Sequence, residues 1–135
     1  MHGNIALIRK YYMRLWDNKD LNTIDDFCDQ NIKIYCSTGY LEYSGTKLLQ
    51  ERVKEWYMGF PDMKVVCDKL YVENNVVVCE WTTTLTHSGE FRGYMPTKKT
   101  FINKGKSFFK INNGKIIERK DEYDAHIFLR EITSA

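Results

Sequence analysis

The side chains equipped for chemistry concentrate between residues 81 and 124. His87 ends the run Trp81-Thr82-Thr83-Thr84-Leu85-Thr86-His87, whose alternation puts it on one face with Trp81, Thr83 and Leu85. An inward Trp81 therefore predicts an inward His87, able to donate a hydrogen bond or share a proton near neutral pH; a strand-end histidine also serves as an ordinary structural hydrogen-bonder. Two aspartates, Asp121 and Asp124, close the stretch. They follow Asn113-Gly114, a dipeptide suited to positive φ at both positions, which predicts a two-residue hairpin between β-branched runs. Alternation away from that turn puts Ile111, Phe109, Ile116, Glu118 and Lys120 on one face, and Phe108, Lys110, Ile117, Arg119 and Asp121 on the other. The first set is more apolar near the turn and is expected to face inward. Continued alternation favours Asp124 inward and Asp121 outward, unless a bulge intervenes. Asp124 also suits a helix cap, and Asp121 a surface carboxylate. Both readings stay open beside the chemical one.

The elements that must position these groups follow from periodicity. Residues 4–17 carry Ile5, Ile8, Tyr12, Leu15 and Trp16 at helical spacing, with Arg9, Lys10 and Arg14 on the other side. Asp20 is suited to cap a short helix bearing Leu21, Ile24, Phe27 and Cys28. Brief strands are expected at 32–36 and 40–43, then a helix carrying Leu48, Leu49, Val53, Trp56 and Tyr57 and ended by Gly59. From Met63 the pattern changes to strands over 63–73, 76–87, about 100–111 and 115–123, with a last helix at 124–132 whose Ile127, Phe128 and Ile132 point inward. Helices first and a meander second predict an α+β fold, one domain over residues 1–135. A strongly curved antiparallel sheet would wrap around the N-terminal helices and leave a conical internal pocket. Tyr12, Trp16, Tyr35, Trp56, Phe60 and Trp81 are candidate pocket walls, each equally suited to plain core packing. Phe109, Glu118 and Lys120 join them from the inward face of the last hairpin.

Composition narrows the function classes. The aromatic share is 14%, enough to build a bulky core, line a cavity, or both. A net charge of +2, with lysines scattered apart from Lys98-Lys99 and the 104–110 stretch, argues against a nucleic-acid partner. No run approaches the ~20 apolar residues of a membrane span, and Arg9, Lys10 and Arg14 interrupt any signal-peptide-like stretch. A cytoplasmic protein is expected. Cys28, Cys36, Cys67 and Cys79 show no C-x-x-C spacing, and with only His2, His87 and His126 beside them no metal site is expected. If 63–73 and 76–87 pair across Asn74-Asn75, Cys67 faces about residue 82 and Cys79 falls three positions out of register. The cysteines then read as small buried apolar residues in a reducing compartment.

The order of these pieces resembles a known family. Trp81-Thr82, then Thr86-His87-Ser88-Gly89-Glu90-Phe91, Gly93 and Pro96-Thr97, is similar to the ester-cyclase branch of the SnoaL-like polyketide cyclases. Asn113-Gly114-Lys115-Ile116-Ile117-Glu118 with Asp121 and Asp124 resembles that family's final hairpin and helix start, and Phe60-Pro61-Asp62 and Trp16 to Asp20 match as well. The likeness runs over roughly residues 5–130. It implies an NTF2-like α+β cone, a homodimer formed through the sheet, no metal or organic cofactor, and a hydrophobic small-molecule ligand. It also implies acid/base chemistry: a pocket aspartate, Asp121 or Asp124, helps remove a proton beside an ester or ketone carbonyl, and the enolate closes a ring on a second carbonyl. That chemistry requires a carboxylate in a dry cavity, a donor for the enolate oxygen, and walls that fold the substrate. Three positions depart from the family pattern: Lys98 in place of a glycine, Lys120 in place of a tryptophan, and Arg130-Glu131-Ile132 in place of Gln-Leu-Gly. An inward Lys120 would pair with a pocket carboxylate or suit the cavity to an acidic ligand; a solvent-reaching Lys120 would do neither. The alternative function is the same cone holding a small ligand without turnover. An epoxide hydrolase of the same fold is resembled only through Arg119 between acidic residues.

Overall fold

Two strand irregularities decide what faces the interior of this fold. The computed structural model describes residues 2–133. Helix α1 (His2–Tyr12) runs into a π-helical turn over Met13–Asp17, then α2 (Asn22–Phe27), β1 (Cys28–Tyr35), β2 (Leu41–Ser44) and α3 (Thr46–Gly59) follow. The second half is β3 (Lys64–Glu73), β4 (Val76–Thr86), β5 (Thr100–Asn112), β6 (Lys115–Tyr123) and α4 (Ala125–Thr133). The six strands form one sheet in the order β2-β1-β6-β5-β4-β3. Every neighbouring pair is antiparallel except β1 and β6, which run parallel.

The expected α+β arrangement is present, and both tight hairpins use the chemistry of their turn residues. Asn113 and Gly114 sit at φ +52° and +76°, and Asn74 and Asn75 at +52° and +63°. The register beyond Asn113-Gly114 is not the simple one. Ile111 pairs with Ile116 but Lys110 pairs with Glu118, so Ile117 is an extra residue on β6. From that bulge onward the two faces of β6 exchange. Phe109 lies opposite Arg119, and Ser107 opposite Asp121. Glu118 and Lys120, expected inward, are turned out, where they pair with Lys110 (3.1 Å) and Glu122 (3.2 Å).

A second bulge, at Asp68, corrects the reading of the cysteines. Cys67 pairs with Trp81 and Lys69 with Glu80. Cys67 and Cys79 therefore share one face of the sheet, their Cα atoms 6.1 Å apart, within the span of a disulfide. Cys28 is buried as expected, whereas Cys36 lies part-exposed after β1.

Apolar packing divides into two clusters. Ile8, Tyr11 and Leu15 of the first helical segment meet Ile24, Ile34, Leu49, Val53, Val77, Phe109 and Ile116 against the sheet. A second cluster of Phe60, Leu85, Phe91, Phe101, Phe128 and Ile132 lies under the 87–99 loop and α4. Ile127, expected inward, is exposed on the outer side of α4. The loop is clamped onto the end of α3 by two backbone bonds, from the Ser88 and Gly89 amides to the Gly59 carbonyl, both 3.1 Å. A Cβ at Gly89 would come within 2.2 Å of the Met58 carbonyl oxygen, so only glycine permits this approach.

Candidate active site

Between the concave face of the sheet and helices α1 and α3 lies a cavity of about 340 Å³. All three tryptophans of the chain, Trp16, Trp56 and Trp81, line it. Each comes from a different element: the π-helical turn, α3 and β4. The extra backbone residue of the π turn, marked by the Asn18 amide bonding to the Met13 carbonyl at 3.0 Å, lets Leu15 stay in the core while Trp16 reaches the cavity. Tyr12, Tyr35 and Phe109 complete the expected walls.

The polar end of the cavity is built on β5 and β6. Ser107 and Asp121 are direct cross-strand partners, and the Ser107 hydroxyl donates to Asp121 Oδ1 at 2.6 Å. Trp81 Nε1 donates to Ser107 Oγ at 2.9 Å, and Tyr12 lines the same end of the cavity. Arg119, two residues before Asp121 on the same face, holds Asp121 Oδ2 through Nη2 at 3.2 Å. Tyr43, from β2, lines the cavity with Arg119. One carboxylate is thus gripped by a hydroxyl and a guanidinium, with two phenols and an indole around them.

Burial sets the protonation of these partners. It pushes the Tyr12 phenol well above its ordinary value, with Ser107 only partly opposing, and it raises Tyr43 too. Both phenols therefore stay protonated as donors at neutral pH. For Arg119, burial opposes the charge most strongly, but the Asp121 carboxylate together with the Tyr43, Tyr11 and Tyr12 phenols holds the guanidinium above its usual range. The Arg119 Nε–H is buried and has no partner among the described residues.

Trp81 reaches Ser107 because residue 105 is glycine. A Cβ there would lie 2.5 Å from Trp81 Cζ2 and 2.5 Å from the Glu122 carbonyl oxygen. The indole edge sits over β5 at that gap.

Several expected site residues lie elsewhere. Asp124, which alternation favoured, is exposed and caps α4: its Oδ1 accepts from the amides of His126 (3.0 Å) and Ile127 (3.1 Å). Asp121, expected outward, lines the cavity instead, because of the bulge at Ile117. His87 does share a face with Trp81 and Thr83, but β4 runs past the cavity before reaching it. Its fully buried ring packs on Phe60 at 5.4 Å between centroids, and Nδ1 accepts from the Thr97 amide at 3.2 Å. Phe60 belongs to the second apolar cluster and does not line the cavity. Glu118 and Lys120 are outside it as well. The cationic side chain at the polar end is Arg119; Lys120 stacks over the Phe108 ring on the other side of the sheet. Among the described residues no three His, Cys, Asp or Glu side chains gather in a metal-binding group.

The sequence profile of the SnoaL-like polyketide cyclases matches residues 6–132. The chain belongs to this family. No curated protein sequence matches it significantly. Among solved structures, a Jannaschia sp. CCS1 protein classed as a SnoaL-like polyketide cyclase superposes with a TM-score of 0.89 at 18% identity, over 99% of this chain and 94% of that one. An NTF2-like protein of Burkholderia pseudomallei K96243 gives 0.81 at 15% identity, over 99% and 100%. TerC, co-crystallised with polyporic acid, gives 0.76 at 16% identity, over 98% and 99%. At these identities the likeness establishes the fold, an NTF2-like cone.

Sequence reading of this SnoaL-like chain missed Ser107, Arg119, Tyr43 and Asn103, all of which line the cavity. Position 107 carried a usable signal. It lies two residues from Phe109 on the face already taken as inward, which makes a serine there a buried polar group in need of a partner.

Proposed function

We propose that this protein is a cofactor-free acid/base enzyme that forms an enolate from a hydrophobic carbonyl compound and closes a ring within the same molecule. The observation that carries the reading is Asp121, held by Ser107 at 2.6 Å and Arg119 at 3.2 Å on the floor of an aromatic-walled cavity. Asp121 takes the proton from the carbon beside the carbonyl. The Arg119 charge and a phenol, from Tyr12 or Tyr43, stabilise the enolate oxygen that develops. The enolate carbon then bonds to a second carbonyl carbon, and the proton held by Asp121 passes to the new alkoxide. Substrate and product are isomers, so no redox partner is needed. Trp16, Trp56 and Trp81 hold the chain of the substrate in reactive geometry. TerC, a structure of the same fold, was co-crystallised with polyporic acid, which supports a small organic ligand here.

The test is solvent deuterium exchange into the α-carbon of an aryl β-ketoester, followed by NMR. Wild-type protein accelerates exchange, and Asp121→Asn loses about 10²-fold or more of that acceleration while its circular dichroism is unchanged. Equal exchange by the two proteins overturns the catalytic reading and leaves a cone that binds without turnover.

We also propose that the protein forms a homodimer through the outer face of the sheet. Val66 on β3 and Ile102 on β5, which flank Thr82 and Thr84 of β4 on that face, are 53% and 58% exposed. Branched aliphatic side chains held open on a flat sheet face support a partner surface there.

A further inference from the structure

The polar groups around Asp121 gather where β5 and β6 meet, and Asn103 lies further along β5. Asn103 on β5 is 6% exposed and lines the cavity, yet its carboxamide bonds to no described residue. The amide is open to the cavity rather than enclosed by protein, so whatever occupies the cavity must satisfy it. Its row on the inner face offers nothing. Val65, Thr83 and Asn103 lie side by side across β3, β4 and β5; Val65 is apolar, and the Thr83 hydroxyl is already committed to the Asn103 backbone carbonyl at 3.0 Å. That bond fixes the backbone from which the carboxamide projects.

Asn103 and Ser107 are four residues apart on the same face of β5, about 13 Å along the strand. Between them the Trp81 ring edge, Cζ2 and Cη2, lies over Gly105. The cavity therefore has hydrogen-bonding groups at two places along β5 and an indole edge between them. We propose that Asn103 is a second ligand anchor, and that the ligand is an elongated, flat, mainly apolar molecule with an oxygen at each end. One oxygen meets the Asp121–Arg119–Tyr12 group. The other, a carbonyl or phenolic hydroxyl, meets the Asn103 carboxamide, which supplies both a donor and an acceptor. Asn103 then sets which substrates are accepted, by length and by the group at the far end. This rests on reading the cavity as a ligand site and is independent of whether turnover occurs there.

Two probes isolate the far anchor: 2,6-dihydroxyanthraquinone, with a hydroxyl at each end of a three-ring plane, and 2-hydroxyanthraquinone, with one. Binding is read from the quenching of the three cavity tryptophans. Wild type should bind the dihydroxy compound about tenfold more tightly, and Asn103→Leu should erase that preference without weakening the monohydroxy compound. The ligand-free Leu variant should melt no lower than wild type, since the amide it loses has no protein partner. If Asn103→Leu does not fold, Asn103→Asp keeps the size and loses the donor, and should disfavour the dihydroxy compound. Equal loss for both probes, an unchanged preference, or no binding of either probe overturns the proposal. A protein that shows the preference but no deuterium exchange keeps the anchor and loses the catalytic reading.

Discussion

At the scale of single residues, the cavity separates groups of the same type by what surrounds them. Asp121 is gripped by Ser107 and Arg119 inside the cone, while Asp124, three residues on, caps a helix in solvent. Asp124→Ala should lower stability by about 1 kcal/mol, measured by denaturant melting, and leave deuterium exchange unaltered. An exchange defect as large as that of Asp121→Asn would return Asp124 to the chemistry. The cysteines divide in the same way. Cys36, at the cavity rim, has its thiol lowered by the Thr38 hydroxyl, 3.0 Å from Sγ, and by the Thr38 backbone, whereas burial pushes Cys28 up to about 12. The thiolate is the reacting form, and its share grows as pH rises through the pKa. Iodoacetamide should therefore label Cys36 at a lower pH than an ordinary thiol and leave Cys28 unlabelled until unfolding, as read by peptide mass spectrometry.

At the scale of elements, Gly105 is the position on which the polar end depends. Gly105→Ala would drive a methyl group into the Trp81 ring and the Glu122 carbonyl. It should cost about 1–3 kcal/mol, shift the tryptophan emission and slow exchange even though residue 105 carries no chemistry. Strand and helix positions were legible in the sequence because their signals are local: the Asn113-Gly114 turn, the 4–17 stripe and the Asp124 cap all appear in the fold. The inner face of β6 was not. Its parity depends on one unpaired residue, Ile117, and nothing in Lys115-Ile116-Ile117-Glu118 distinguishes a bulged ladder from a regular one, since both isoleucines suit either face. That slip exchanged Glu118 and Lys120 for Arg119 and Asp121. His87 failed for another reason: alternation gave its face correctly, but the length of β4 carried it beyond the cavity into the second apolar cluster. Lys98 shows a family substitution made legible by structure. It stands at φ +66°, a conformation that glycine adopts freely, where the family pattern has glycine.

At the scale of the molecule, the cavity lies on the inner face of the sheet, and Val66 and Ile102 stand exposed on the outer one. If that face pairs two copies, sedimentation equilibrium should give a dimer, and Val66→Glu with Ile102→Glu should give a monomer that still carries out deuterium exchange. A wild-type monomer would remove the proposal. No helix among the described residues is long and apolar enough to cross a membrane.

The parallel pairing of β1 with β6 also fixes an order of events in time. Ile34 lies beside Arg119, and Tyr35 beside Lys120, so β1 waits for a strand that follows it only after β2, α3, β3, β4 and β5 have been made. Until β6 arrives, β1 has only the short β2 for a neighbour, and Ser107 has no Asp121 to donate to. Closing such a distant pairing is slow compared with the helices and hairpins that precede it. The nascent chain can thus collapse around its aromatic residues before Asp121 is in place, and the polar end of the cavity is the last part of this fold to assemble.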